Sequence, residues 1–101
     1  MRTEKLIPLI LNKASKEPSF FISQITILYA ICEISRKTNY TPTIQVSRKQ
    51  LMHSTKIKSY GTYHRCIKTL CDLGYIKYEP SYHPDGKTLI HLLPLSQNEL
   101  N

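Results

Sequence analysis

Acidic residues are scarce in this sequence: seven stand against fourteen lysines and arginines, giving a formal net charge of +7 over 101 residues, and none falls between Glu33 and Asp72. The few carboxylates are scattered, so no convergent acid and base is in view, and His64, two residues from Cys66, points away from it on a helix; no enzyme is expected. The three cysteines, Cys32, Cys66 and Cys71, are odd in number and lack framework spacing. Cys66 and Cys71 would stand about 140° apart around a helix, which suits neither a disulfide scaffold nor zinc, so reduced core thiols and no metal or other cofactor are expected. A long apolar run is also missing. Leu6 to Leu11 is short, follows Glu4 and is interrupted by Pro8, which fits neither a signal peptide nor a spanning helix; a cytoplasmic protein with no membrane partner is the expectation. His53 and His91 carry no supporting pattern and read as surface or strand-packing residues. There is no internal repeat, low-complexity tract or linker.

What the sequence does have is concentrated. Arg36, Lys37, Arg48, Lys49, Lys56, Lys58, Arg65 and Lys68 occupy the acid-free stretch. Such a run repels itself unless a polyanion covers it, which points to nucleic acid and, with helix-start signals in its middle, to double-stranded DNA. With 41% apolar residues the chain can build one small domain around a modest core.

The punctuation predicts the elements. Residues 1–22 read as an apolar arm or short helix, with Pro8 tolerated only near a helix start; it either covers the core or forms part of a dimer interface. Ser23 is the expected N-cap of a helix running to about Thr38, with Ile22 and Ile27 as a hydrophobic staple and Ile27, Leu28, Ile31, Ile34 and Thr38 facing inward. Thr43 to Val46 is a short β-like run. Val46-Ser47-Arg48-Lys49-Gln50-Leu51 combines a capping box, Ser47 with Gln50, and a staple, Val46 with Leu51, and starts a short helix reaching about Ser54. Ser59 caps the next helix, Tyr60 to Leu73, which buries Tyr63, Cys66, Ile67 and Leu70, presents Gly61, Arg65, Lys68 and Asp72, and stops at Gly74. Tyr75 to Tyr78 and Lys87 to Leu93 form a hairpin whose long loop has Pro84-Asp85-Gly86 as its turn. Residues 94–101 read as a polar tail.

This order resembles the winged helix-turn-helix domain of bacterial transcription regulators. The resemblance spans residues 23–93 and is carried by the lead-in at Val46 to Leu51, by Thr62-Tyr63 with Ile67 and Leu70, by Gly74-Tyr75-Ile76, and by Asp85-Gly86 in the wing. It implies an α+β, mainly α fold: a three-helix core, a C-terminal β-hairpin wing and the N-terminal arm or helix. The chain is also similar to small accessory regulators of mobile elements. It has no ligand-binding domain, so no small-molecule ligand is expected.

In such domains the recognition helix enters the major groove amino end first. The resemblance therefore implies that Ser59, Tyr60, Thr62, His64 and Arg65 reach bases. Arg65 has the fork that matches guanine, or else it touches phosphate. Gly61 would let a phosphate approach the amides at the helix start. Arg48, Lys49, Lys56, Lys58 and Lys68 are expected on phosphates; Tyr82, His83 and Lys87 along the minor groove or its phosphates. A homodimer would double the site. The competing reading is a protein-interaction winged helix whose basic strip meets an acidic partner; RNA is less favoured because the cations lie on helices.

Overall fold

The computed structural model describes residues 3–80 and 86–93. Among them are four helices and a three-stranded antiparallel sheet: α1 (Thr3–Ser15), α2 (Ile22–Lys37), β1 (Thr43–Ser47), α3 (Arg48–Thr55), α4 (Tyr60–Asp72), β2 (Ile76–Glu79) and β3 (Lys87–Leu92). The fold is α+β and mainly helical.

The amino-terminal segment is a full helix of 13 residues, longer than its sequence suggests. Leu6, Ile10 and Ala14, four apart, form one buried stripe that joins the central apolar cluster. Burial of that stripe outweighs the cost of Pro8, which lies inside the helix but on its exposed face, where the preceding turn is open to water. The helical core is thus built from four helices, with α1 packed on α2 and covering one side of the cluster.

α2 begins two residues before the expected place. Phe21, not Ser23, is its N-cap, and the Phe21 amide donates to Gln24 Oε1 at 2.7 Å, half of a capping box whose other half a phenyl ring cannot make. Ile22 is 82% exposed, so the Ile22–Ile27 staple does not form. Inward, α2 buries Ile27, Leu28, Ile31, Cys32 and Ser35, while Thr38 is exposed. At α3 the capping box is present as read: the Gln50 amide donates to Ser47 Oγ at 3.0 Å and the Ser47 amide to Gln50 Oε1 at 3.1 Å. Val46 and Leu51 are both buried.

Three helices end in the same way. After α2, the Tyr40 amide donates to the Ser35 carbonyl and Asn39 to Arg36; after α3, Ile57 to Met52 and Lys56 to His53; after α4, Tyr75 to Leu70 and Gly74 to Cys71. Each is a Schellman closure around a left-handed residue. Those residues are Asn39 (φ 63°), Lys56 (φ 61°) and Gly74 (φ 82°), of which the sequence announces only the glycine.

β3 is the middle strand, in the order β1-β3-β2. Its register sets Val46 opposite Thr88, and both Thr43 and Lys77 opposite His91. Ile44, Val46, Ile76, Ile90 and Leu92 turn inward. On the outer face His91 Nδ1 lies 2.7 Å from Thr43 Oγ1, and its Nε2 lies 3.5 Å from Glu79 Oε2, so one ring spans all three strands. The turn residues Pro84 and Asp85 lie outside the described residues.

Candidate nucleic-acid interface

α4 divides into two faces. Ser59 caps it by accepting from the Thr62 amide at 3.3 Å, and Tyr63, Cys66, Ile67 and Leu70 are buried. Opposite them Gly61, Arg65, Lys68 and Asp72 are exposed and form a ridge. Helical spacing puts Tyr60 and His64 on one shoulder of that ridge, and Thr62 and Thr69 on the other.

A cleft opens on each shoulder. The larger, about 450 Å³, is lined by Ser47, Arg48, Lys49, His64, Tyr78 and Thr88 and so lies between the start of α3, α4 and the hairpin root. The smaller, about 310 Å³, includes Ser19, Phe21, Ser23, Thr62, Arg65 and Thr69, between the start of α2 and α4. Both combine cations with hydroxyls. The cleft-lining Ser19, Ser23, Tyr78 and Thr88 have no sequence signal as site residues, because only the tertiary fold brings them beside α4.

The cations differ in how they are held. Arg65 is exposed, and its guanidinium makes one long contact of 3.5 Å with Thr62 Oγ1. Lys49 and Lys58 are exposed, and Lys56 is exposed at the left-handed closure of α3, with Ile57 between Lys56 and Lys58 tucked against the core. Lys68 pairs with Asp72 Oδ2 at 2.7 Å, and that carboxylate raises the Lys68 ammonium above its ordinary pKa. Lys87 opens β3 opposite Ser47.

Arg48 sits differently. It is half-buried, and its guanidinium carbon lies 3.9 Å from the centre of the Tyr60 ring. Tyr60 in turn meets His64 at 5.1 Å between ring centres, and His64 meets the edge of Tyr63 at 5.6 Å. The Tyr63 hydroxyl lies 3.4 Å from that of Tyr78; burial first, then this contact, pushes the Tyr63 phenol well above its ordinary pKa. A row of rings therefore runs from the surface into the core. With Arg48 and Tyr60 twelve residues apart on separate helices, no local pattern could announce their contact.

Gly61 is not required by the fold. Its φ is ordinary, and a Cβ built there would meet only Ser59 Oγ, at 3.8 Å, which is normal contact. Tyr82 and His83 lie outside the described residues. Among the described residues there is no group of three side chains that could hold a metal ion, and no helix long and apolar enough to cross a membrane. No protein-family model, curated protein or solved structure matches the chain.

Proposed function

We propose that the protein binds double-stranded DNA as a winged helix-turn-helix domain, with α4 in the major groove and the β2–β3 hairpin as its wing. The observation that carries this reading is the amino half of α4, an exposed, acid-free ridge with a cation-bearing cleft on either side. A helix about 10–12 Å across fits a major groove about 12 Å wide, and clefts on its two flanks suit the two strands that border the groove. Lys49, Lys56, Lys58 and Lys68 act on phosphates, which position the protein without selecting sequence; Arg65 and Tyr60 act on bases. Gly61, for which the fold has no need, leaves room for close approach of the backbone. The protein acts by occupying a DNA site in the bacterial cytoplasm, as a transcription regulator or as an accessory factor of a mobile element in recombination or replication, and a homodimer would double the site.

Selection from random duplexes at two salt concentrations tests this. Contact with about six phosphates costs about a thousandfold in affinity between 50 and 200 mM salt. Arg65→Ala should relax preference at one base pair, and Lys58→Ala should weaken binding evenly. A flat salt dependence with no selected sequence would refute the reading.

One observation favours a protein partner instead: Phe21 and Tyr29 are 75% and 56% exposed, and with Ile22 they leave apolar surface on α2. A protein-interaction module would bind through that surface, and its affinity would fall little with salt.

A further inference from the structure

Arg48 is the first residue of α3 and Tyr60 the first of α4, so their contact joins the amino ends of two helices. A cation at a helix amino end is opposed by the helix dipole. A phosphate contact, which the resemblance implies for Arg48, would relieve this misfit from outside. The structure supplies an internal answer, because the negative face of the Tyr60 ring lies against the guanidinium. Tyr60 nevertheless keeps 48% of its surface exposed, and the tilted His64 ring also packs against it, followed by the Tyr63–Tyr78 pair. The ring is therefore clamped at the leading edge of the ridge while part of it faces outward.

We propose that Arg48 is a positioning residue for base recognition: it fixes the Tyr60 ring, which reads the base pair under the first turn of α4, and is not itself a phosphate contact. This rests on the DNA-binding reading above. A side chain already held in one arrangement gives up less freedom when it binds, so the clamp sharpens discrimination at that base pair without adding a contact. Lys49, the other cation lining the larger cleft, stays available to the DNA backbone.

A double-mutant cycle separates the two roles. Arg48→Ala, Tyr60→Ala and the double variant are compared on the selected duplex, on duplexes altered one base pair at a time, and across 50–200 mM salt. Arg48→Ala should lower the preference at one base pair about two- to fivefold, the range set by an exposed cation–ring contact. It should have no further effect once Tyr60 is alanine. Its salt slope should stay at the wild-type value, whereas Lys58→Ala should reduce the slope by about 0.9. Should Arg48→Ala not fold, Arg48→Gln keeps the methylene stem and carries the same comparison. Additive losses at every base pair, with the slope reduced by about 0.9, would make Arg48 a phosphate contact and overturn the inference while DNA binding stands. Wild-type protein that selects no duplex would overturn both.

Discussion

Exchanging the residues that close α3 and α4 should move stability in opposite directions by similar amounts. Lys56 and Gly74 occupy the same left-handed place in two Schellman closures, at φ 61° and 82°. An L residue in this region costs roughly 1–2 kcal/mol, whereas glycine avoids that strain but loses more chain freedom on folding, by roughly 0.5–1 kcal/mol relative to alanine. The difference leaves Lys56→Gly about 0.5–1 kcal/mol more stable and Gly74→Ala less stable by about the same amount. No steric term confuses the second case, since a Cβ at Gly74 would meet nothing within 4 Å. In a domain of this size 1 kcal/mol corresponds to roughly 4–8 °C in Tm, within reach of circular dichroism melts or urea titrations. Asn39→Gly supplies a calibration, because asparagine tolerates the left-handed region and should gain less. The same Lys56→Gly protein, better folded, should bind DNA less tightly and with a salt slope smaller by about 0.9. Unchanged or lowered stability in Lys56→Gly would refute the strain argument; higher stability with undiminished slope would remove Lys56 from the phosphate contacts.

Gly61→Ala should stabilise α4 by up to about 1 kcal/mol through helix propensity, yet weaken DNA binding; a gain in both melting temperature and affinity would show that nothing approaches the helix there. Ile10→Ala, at a fully buried position of α1, should cost about 2–5 kcal/mol by urea denaturation, while a cost below about 0.5 kcal/mol would return this segment to the status of a loose arm. Burial, and to a lesser extent the neighbouring Glu33 carboxylate, pushes the Cys32 thiol up from its ordinary value of 9.0 to about 12. The folded state thus keeps this proton more firmly than the unfolded state. Its contribution to stability is full below pH 9.0 and is lost as pH rises toward about 12, so Cys32→Ala should flatten the alkaline fall in stability. At pH 8 a thiol reagent should modify the half-buried Cys71 before Cys32 or Cys66, both buried; early loss of Cys32 would contradict its packing.

Elements whose signals are local could be read from the sequence. Ser47 with Gln50, Ser59 before Tyr60, the buried stripe Tyr63–Cys66–Ile67–Leu70 and the stop at Gly74 each depend on residues within one or two turns, and each is present. Where tertiary packing decides, the reading fell short. α1 extends through Pro8 because Leu6, Ile10 and Ala14 gain a partner in α2, which periodicity alone cannot provide. Ser23 has the chemistry of a cap, but Gln24 reaches back to Phe21 and the helix begins earlier. For the candidate site, helical spacing sufficed to place Gly61, Arg65 and Lys68 on one exposed face. It could not bring Ser19 and Arg65 to one cleft, or set Arg48 over Tyr60, since those placements arise only when separate elements pack.

Ser47 is at once the last residue of β1, the cap of α3 and the partner of Lys87 across the sheet. With no spacer between strand and helix, a tilt of the hairpin is geared directly to the axis of α3. Through Arg48, the next residue along, the same tilt reaches the tyrosine at the head of α4. The hairpin root and the head of α4 are thus joined by two consecutive residues, Ser47 and Arg48, with nothing slack between them.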